Sequence, residues 1–451
     1  MFLLIQPEYP PSVGGMQTHA EAMARHLHER GHRIAVVTYS QPDDRHTIAA
    51  AAAYDAARPF PTYRCLSRLS FWANIRTLLQ IISRLRPEII YSSTPFYGII
   101  AELTGIPVVS RSVGTDVMRC WIPYPYRWGS GMLAHPVVER HLEGIYRRLH
   151  APEWMEEIFF EARRRLVCRG MRSASAIVAN SGYTRERLLE MGADPQRVCV
   201  VAGGVDVARF ARNGYRNLRS QLGIHGSGPT ILTVCRLVGK KGVDVLLQAV
   251  ALARRELPTL VLLVVGDGPE RERYSAFSEQ LGLNGTVRFV GRIPHERVVD
   301  YYHASDLFVL ASKVHQKRGR WADVETMGRV ICEANAAGIP VVATATGGVP
   351  SVVTHEENGL LVPPDDPTSL ASAIVRMWRS PELRKRVREM GLIRARQEFD
   401  WEVVVGAYEE IFDWAKGSHL RECKKGKNLP RRQGESKDVA EYLCENPVSP
   451  W

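Results

Sequence analysis

Short apolar runs alternate along the chain with stretches whose apolar positions recur at helical spacing, and this alternation occurs twice. In the first stretch "FLLIQ" (2–6) leads through "PEYPPSVGGMQTH" into a segment whose Ala22, Met23, Ala24 and Leu27 predict a helix. "GHRIAVVTYS" (31–40) restores a strand, and "EIIYSS" (88–93), "PVVSRS" (107–112) and "SAIVANS" (175–181) predict three more. The second stretch begins with the strand "TILTVCRL" (230–237) and the helix "VDVLLQAVALARREL" (243–257). "LVLLVVG" (260–266), "TVRFVGRI" (286–293), "DLFVLAS" (306–312), "PVVATA" (340–345) and "NGLLVPP" (358–364) continue it. Alternating β and α elements predict parallel sheets covered by helices on both faces. Two such stretches predict two doubly wound domains, hinged around 203–225.

A last amphipathic helix is expected over 401–416. Residues 117–172 break the alternation. They are rich in Arg and Glu, follow the aromatic cluster "CWIPYPYRW" (120–128), and are expected as a helical insertion in the first domain. Residues 416–438 carry eight Lys or Arg against three acids, so 416–451 is expected as a basic, solvated tail.

Composition narrows the function classes. The chain has 451 residues, 45% hydrophobic and 24% charged, enough for two ordinary domains with proper cores. "MFLLIQPEYPP" has an apolar run too short for a signal peptide, and no run reaches the length that spans a bilayer. Eight cysteines stand singly, without a CxxC pair, which fits reduced thiols and a cytoplasmic protein. The net charge of +11 would suit nucleic acid, an anionic membrane face or a diphosphate substrate. No nucleic-acid-binding motif accompanies it, so a nucleic-acid partner is not expected.

In open parallel sheets ligands bind outside the carboxyl ends of the strands, so the informative residues should follow strands. "CRLVGKKG" places Arg236 at a strand end and Lys241 ahead of a helix. A guanidinium and an ammonium converging there suit a diphosphate and the charge that develops as it leaves. "VVGDGPE" puts Gly266 after the most apolar strand, which permits close backbone approach to a ligand. "ETMGRVICEANAAGIPVV" (325–342) raises a sharper question. On one continuous helix, Glu325 and Glu333 would lie about 80° and about 12 Å apart, poorly placed to grip one group. If Gly328 instead marks a loop-to-helix junction, Glu325 sits in the loop and Glu333 in the helix. Free N–H groups at Met327-Gly328 then offer an anion site between them. Glu325 would accept from sugar hydroxyls and Glu333 from a ribose diol. Exposed helix carboxylates and a surface Arg/Lys pair are the plain alternatives.

In order, Arg236…Lys241-Gly242, Gly266-Asp267-Gly268, Glu325…Glu333, "GIPVV" and "TGGVP" (346–350) resemble the retaining GT-B glycosyltransferases. That family includes glycogen-synthase-like and mannosyltransferase-like enzymes that use nucleotide sugars. "GGMQTHA" (14–20), "ANSGYTRERL" (180–188), "GGVDVARF" (203–210) and the closing "FDWEVVVGAYEEIF" extend the likeness over roughly residues 1–415.

The resemblance implies an α/β GT-B fold, two Rossmann-like domains facing across a cleft, with the C-terminal helix crossing back to the first. It implies an acceptor-side domain over 1–205, a nucleotide-sugar domain over 206–395 and a crossover helix over 396–415. Arg236 and Lys241 match the diphosphate pair, Glu325 the acid facing the donor sugar, and Glu333 the acid holding the ribose. Gly14 and Gly15 match the loop against the donor phosphates, and Arg292 and Ile293 the base-contacting loop. Gly114 and Asp116 match the acceptor-side stretch. No metal and no cofactor are expected, because the Arg/Lys pair replaces a metal's charge.

Three departures stand out. Val113 occupies the place of a usual histidine, Ser351 that of a usual acid, and the loop 313–324 is longer and more basic, with Lys313, Lys317, Arg318 and Arg320.

The implied reaction is transfer of a sugar from a nucleotide diphosphate to the hydroxyl of a carbohydrate, lipid-linked or small-molecule acceptor. A nucleotide-sugar epimerase or hydrolase of the same fold, and a non-catalytic sugar-nucleotide-binding scaffold, are the rival readings. Trp121, Tyr124, Tyr126 and Trp128, followed by an Arg-rich segment, have the make-up of a surface in peripheral contact with a membrane. The Glu content of that segment fits packing against protein equally well. The base, sugar, acceptor and oligomeric state are left open.

Overall fold

A computed structural model describes residues 1–11, 14–40, 45–68, 71–118, 153–212, 218–317 and 321–418. It divides into two compact units, one from residues 1–201 with the chain after Val405, the other from 202–404.

The first unit holds a seven-stranded sheet. Its strands are β1 (Phe2–Ile5), β2 (Ile34–Tyr39), β3 (Thr62–Leu66), β4 (Ile89–Ser92), β5 (Val108–Ser112), β6 (Ala176–Ala179) and β7 (Val198–Val200). They run in the order β3-β2-β1-β4-β5-β6-β7, every pair parallel, with Phe2 level with both Ile34 and Ile89. The central strands are buried on both faces, which is why they read as unbroken apolar runs.

The second unit repeats the plan. Its strands are β8 (Thr230–Val234), β9 (Val261–Val265), β10 (Val287–Gly291), β11 (Leu307–Leu310), a short hairpin of β12 (His315–Lys317) and β13 (Trp321–Asp323), then β14 (Val341–Thr344) and β15 (Leu360–Val362). The parallel sheet has the order β10-β9-β8-β11-β14-β15, and the hairpin pairs only with itself, antiparallel. Both sheets thus start in the middle, wind outward one way, return and wind the other way. That is the doubly wound, Rossmann-like arrangement, given twice.

Local chemistry accounts for the helices that cover these sheets. Val243–Ala253 packs Val243, Leu246, Leu247 and Val250 into the core of the second unit. Pro367–Arg379 starts with Asp366, whose carboxylate accepts the N–H groups of Thr368 and Ser369, and Pro381–Arg394 starts the same way on Ser380. Glu153–Ser173 is the crossover helix between β5 and β6, and its Val167, Cys168 and Met171 lie in the core of the first unit. Residues 119–152 of the stretch expected as an insertion, with Trp121, Tyr124, Tyr126 and Trp128, lie outside the described residues, as does the basic tail beyond 418.

The final helix, Trp401–Asp413, begins in the second unit and ends in the first. In the first unit Phe412 meets the rings of Phe2 and Tyr91, and Tyr408 meets Tyr91. Among the described residues no helix is long and apolar enough to cross a membrane.

Candidate active site

In the second sheet β8 and β11 are neighbours, with Leu307 level with Ile231, and the chain leaves them in opposite directions, β8 toward β9 and β11 toward β14. This is the switch point at which such sheets bind ligands. The loops leaving these two strands carry Arg236 and Lys241 on one side and Glu325, Met327 and Gly328 on the other.

After β8 the chain makes one 3-10 turn, Gly239–Lys241, and enters the next helix at Gly242. After β11 it passes Ser312, forms the hairpin and reaches Glu325. Lys241 Nζ donates to Glu325 Oε2, and Ser312 Oγ donates to the same oxygen at 3.3 Å. The two charged side chains are only 15% and 12% exposed, so this is an ion pair largely removed from water. Burial pushes the Glu325 carboxyl up, but Lys241, Lys240 and Ser312 more than offset it and hold it below the ordinary carboxylate value. Burial pulls Lys241 down, and Glu325 overrides it, so the ammonium is held above its usual value. Both groups are therefore ionised at neutral pH.

Glu325 is also fixed by its backbone. Gly348 N–H donates to the Glu325 carbonyl at 2.8 Å, and a Cβ on Gly347 would stand 2.1 Å from that same oxygen. The "TGGVP" turn after β14 thus grips the loop that carries the carboxylate.

Gly328 adopts φ 90°, and the helix Arg329–Ala336 starts there, so the junction expected at this glycine is present. Met327 beside it is buried, with its Sδ accepting the N–H of Gly203 at 3.2 Å. Glu333 lies inside the helix, 3% exposed. Tyr302 Oη donates to its Oε2 at 2.9 Å, and Arg329 Nε lies 3.4 Å from its Oε1. Burial, and then Glu333 itself, drive the Tyr302 hydroxyl well above its usual pKa, so it remains a donor. Neither glutamate is an exposed helix carboxylate.

Arg236 is exposed and takes part in no ion pair among the described residues. The structure brings Lys241 to Glu325, whereas Arg236 forms no ion pair with Glu325. The close approach permitted by Gly266 is to protein: a Cβ there would lie 1.9 Å from the Cys235 carbonyl oxygen. Arg292 is exposed beyond the end of β10, and Ile293 is half-buried against the core.

In the first unit Gly14 and Gly15 stand at the entry to the helix Gly15–Glu29. At the end of β5, Ser112 Oγ accepts the N–H of Gly114 at 3.1 Å and donates to Asp116 Oδ1 at 2.8 Å. Asp116 Oδ2 is buried without a hydrogen-bond partner. Burial pushes the Asp116 carboxyl up to about 6, against the opposing pull of Ser112 and Arg111.

Ser312, Tyr302, Lys240 and Asp323 were not anticipated. Nothing in sequence marks Ser312 or Tyr302. Lys240 and Asp323 leave a faint signal, adjacent lysines on one loop and acids two apart on the other. Among the described residues no group of three His, Cys, Asp or Glu is placed to hold a metal ion.

Two family profiles match in tandem, Glycosyltransferase Family 4 over residues 13–209 and Glycosyl transferases group 1 over 215–392. The chain belongs to the GT-B glycosyltransferases. It is 26% identical over 437 residues to the GDP-mannose-dependent alpha-(1-6)-phosphatidylinositol monomannoside mannosyltransferase of Mycolicibacterium smegmatis, covering 95% of this chain and all of that one. It is 33% identical over 259 residues to the D-inositol 3-phosphate glycosyltransferase of Thermomonospora curvata, covering 54% of this chain and 58% of that protein. In fold it is similar to Anabaena HepE, solved with UDP, with a TM-score of 0.68 at 19% identity over 92% of this chain and 99% of that one. The sucrose-phosphate synthase of Thermosynechococcus elongatus shares the fold at a TM-score of 0.65, with 21% identity over 94% and 99% of the two chains. Their shared architecture is the GT-B fold.

Proposed function

We propose that the protein transfers a sugar from a nucleotide-diphosphate sugar to an acceptor hydroxyl, with retention of anomeric configuration. The observation that carries this reading is the Lys241–Glu325 pair at the switch point of the second sheet. A buried cation and anion, held rigidly between two post-strand loops, match the two ends of a sugar diphosphate. Lys241 has three N–H donors, so it can keep one on Glu325 and give the others to phosphate oxygens. Arg236, exposed and in no ion pair among the described residues, is available to swing onto the same diphosphate as a bidentate fork. The helix start at Met327-Gly328 adds N–H donors for phosphate, and Glu325 accepts from the sugar hydroxyls. Glu333, already engaged by Tyr302 and Arg329, meets the ribose diol through a lone pair left free. Gly266, Arg292 and Ile293 belong to the rim toward the base.

In the first unit, Gly14 and Gly15 are assigned to the donor phosphates and Gly114 and Asp116 to the acceptor. In front-side attack the leaving phosphate oxygen takes the acceptor proton as the new glycosidic bond forms on the face the diphosphate leaves. The negative charge that builds on the diphosphate is met by Lys241 and Arg236, which stand in for a metal ion. The names of the relatives favour inositol-containing acceptors, and that of the M. smegmatis enzyme a GDP-linked mannose donor.

Replacing Lys241 by Ala is expected to reduce transfer at saturating acceptor by about a hundredfold or more, the usual size of a lost charge donor at a developing anion. Arg236→Ala should act in the same direction. Near-normal turnover in the Lys241 variant would overturn the assignment. Release of free sugar or an epimerised donor at an unchanged rate without acceptor would favour the epimerase or hydrolase reading. Nucleotide binding with no turnover on any common nucleotide sugar would favour the scaffold.

A further inference from the structure

Two consecutive lysines on one loop meet two carboxylates, two residues apart, on another. Lys240 Nζ lies 3.0 Å from Asp323 Oδ1 and donates to the Val324 carbonyl at 3.4 Å, and the next residue, Lys241, holds Glu325. The Lys240–Asp323 pair is also withdrawn from solvent, at 21% and 12% exposure. Asp323 is the last residue of the β12–β13 hairpin, paired across it with His315. The His315 ring lies against Gly239, 2.8 Å from where a Cβ would stand. At the root of the hairpin the Lys313 N–H donates to the Lys240 carbonyl at 2.8 Å, and Lys313 Nζ lies 2.9 Å from Asp244 at the start of the next helix. The hairpin is therefore fastened to the 239–241 turn at its root, along its first strand and at its end.

Resting on the reading of Lys241 and Glu325 as donor-site residues, we propose that Asp323 is a positioning residue. Through its pair with Lys240 it locks the segment 323–325 in register with the 239–241 turn and so delivers the Glu325 carboxylate to Lys241. The hairpin, the extra length of the 313–324 loop, is the strut that carries it. Lys240 is thereby committed to the protein and does not serve the substrate, although it adjoins Lys241 in sequence.

A purely electrostatic role for Asp323 predicts the opposite response to its removal. Lys240 faces Glu325 closely enough to lower its pKa. Freed from Asp323, it would lower that pKa further if the geometry stayed intact. If Asp323 sets the register, its loss separates Glu325 from Lys241 and the pKa rises. Asp323→Asn, nearly isosteric, distinguishes the two. The measurement is a carbon-13 NMR titration of the Glu325 carboxyl in the ligand-free full chain, assigned by difference against Glu325→Gln.

The expected result is an upward shift of the Glu325 midpoint in Asp323→Asn and a smaller upward shift in Asp323→Glu, which keeps the charge but moves it by one methylene. An unmoved or lowered midpoint in both overturns the proposal. Should the Asn variant fail to fold, the Glu variant alone decides, because a charge-only role leaves its midpoint unchanged. This readout needs no substrate, so it stands apart from the fate of the transferase reading. Where transfer is measurable, kcat should fall about tenfold, equivalent to about 1.4 kcal/mol, with the donor KM nearly constant. Equal loss in both parameters would mark a merely structural residue.

Discussion

The loops at the two switch points are built differently. In the second unit they are pressed onto one another. Gly266 leaves room for the Cys235 carbonyl and Gly347 for that of Glu325, with no space for a Cβ at either place. In the first unit a Cβ on Gly15 would meet no described atom within 4 Å, and one on Gly14 would meet chiefly the movable end of Gln17. The carboxylates differ as well. Glu325 and Glu333 are each held by two side chains, whereas Asp116 is held by the single side chain of Ser112. Buried polar atoms without a partner among the described residues occur in both units, at Gln6 in the first and at Asn335 and Thr346 in the second. The second unit is thus shaped by contacts within itself before any ligand arrives, which lowers the ordering cost of binding. The first leaves backbone space at Gly14 and Gly15 among its described residues.

The largest effect that would break this contrast belongs to Glu325. Glu325→Gln strands the Lys241 ammonium in a site removed from water, at a cost of about 3 kcal/mol in unfolding free energy. The sign of the pH dependence follows from the pair. Glu325 is held below its unfolded pKa, so its stabilisation is complete above the ordinary carboxylate value and is lost as pH falls through the folded one. Lys241 is held above its unfolded value, so its share is complete below that value and is lost as pH rises through the folded one. Chemical denaturation across pH should show the acid limb of this plateau flattened in the Gln variant. An unchanged acid limb would mean that the pair is not formed in solution.

Next in size is a pair of matched substitutions. Gly266→Ala puts a Cβ on the Cys235 carbonyl at a residue with φ 128°, and should cost on the order of 2 kcal/mol or more. Gly15→Ala should leave stability within about 0.5 kcal/mol of the parent. Transfer should nevertheless fall in the Gly15 variant, by about tenfold if the new methyl crowds a phosphate. Equal denaturation midpoints for the two variants would erase the distinction between the loops.

How much of this was legible in sequence depends on what each feature looks like locally. The buried strand β9 announces itself as an unbroken apolar run, and the order of strands and helices gave the doubly wound class. Between 41 and 87 the described part of the first unit contains a strand and two helices that the alternation of apolar runs does not mark. The edge strand β3 is half-exposed and carries Arg64 and Cys65, and the helix Arg45–Ala56 is mostly alanine without a distinct apolar face. Phe71–Leu85 does show its buried face, at Phe71, Ile75, Leu78 and Ile82. The Arg-rich surface of Glu153–Ser173 concealed a crossover helix whose inner positions are core. At the site, residue types and spacing were enough to single out Lys241, Glu325, Gly328 and Glu333. They could not tell that Gly266 makes room for protein, or that three-residue strands fold the basic loop into a hairpin, since neither leaves a periodic trace.

A smaller effect is expected at Asp116, in the first unit. Its folded pKa of about 6 lies above the unfolded value, so burial favours the neutral acid. The stability it contributes is fully present below the unfolded pKa and is lost as pH rises through about 6. Asp116→Asn keeps an oxygen for the Ser112 hydroxyl and removes the charge. It should therefore gain about 1–2 kcal/mol relative to the parent at pH 8 and nothing at pH 4. A uniform change at both pH values would show that the carboxyl does not titrate near 6.

The smallest effect sharpens the contrast from the final helix. Glu409 takes Arg30 and His32 together, each at 2.6 Å, but all three side chains are 25–30% exposed. Water and salt screen such a pair in a way they cannot screen Lys241–Glu325, so Glu409→Gln should cost no more than about 1 kcal/mol. The part due to charge should also vanish as ionic strength rises, because the Debye length shrinks to about 3 Å at 1 M salt. The cost of Glu325→Gln should largely survive the same salt. The contacts of Phe412 with Phe2 and Tyr91 are indifferent to ionic strength, and they keep the end of the helix in place when the Glu409 pair is removed. Parallel salt titrations of the two Gln variants therefore compare a pair that orders a site with a pair that trims a surface. Equal salt sensitivity would remove that distinction.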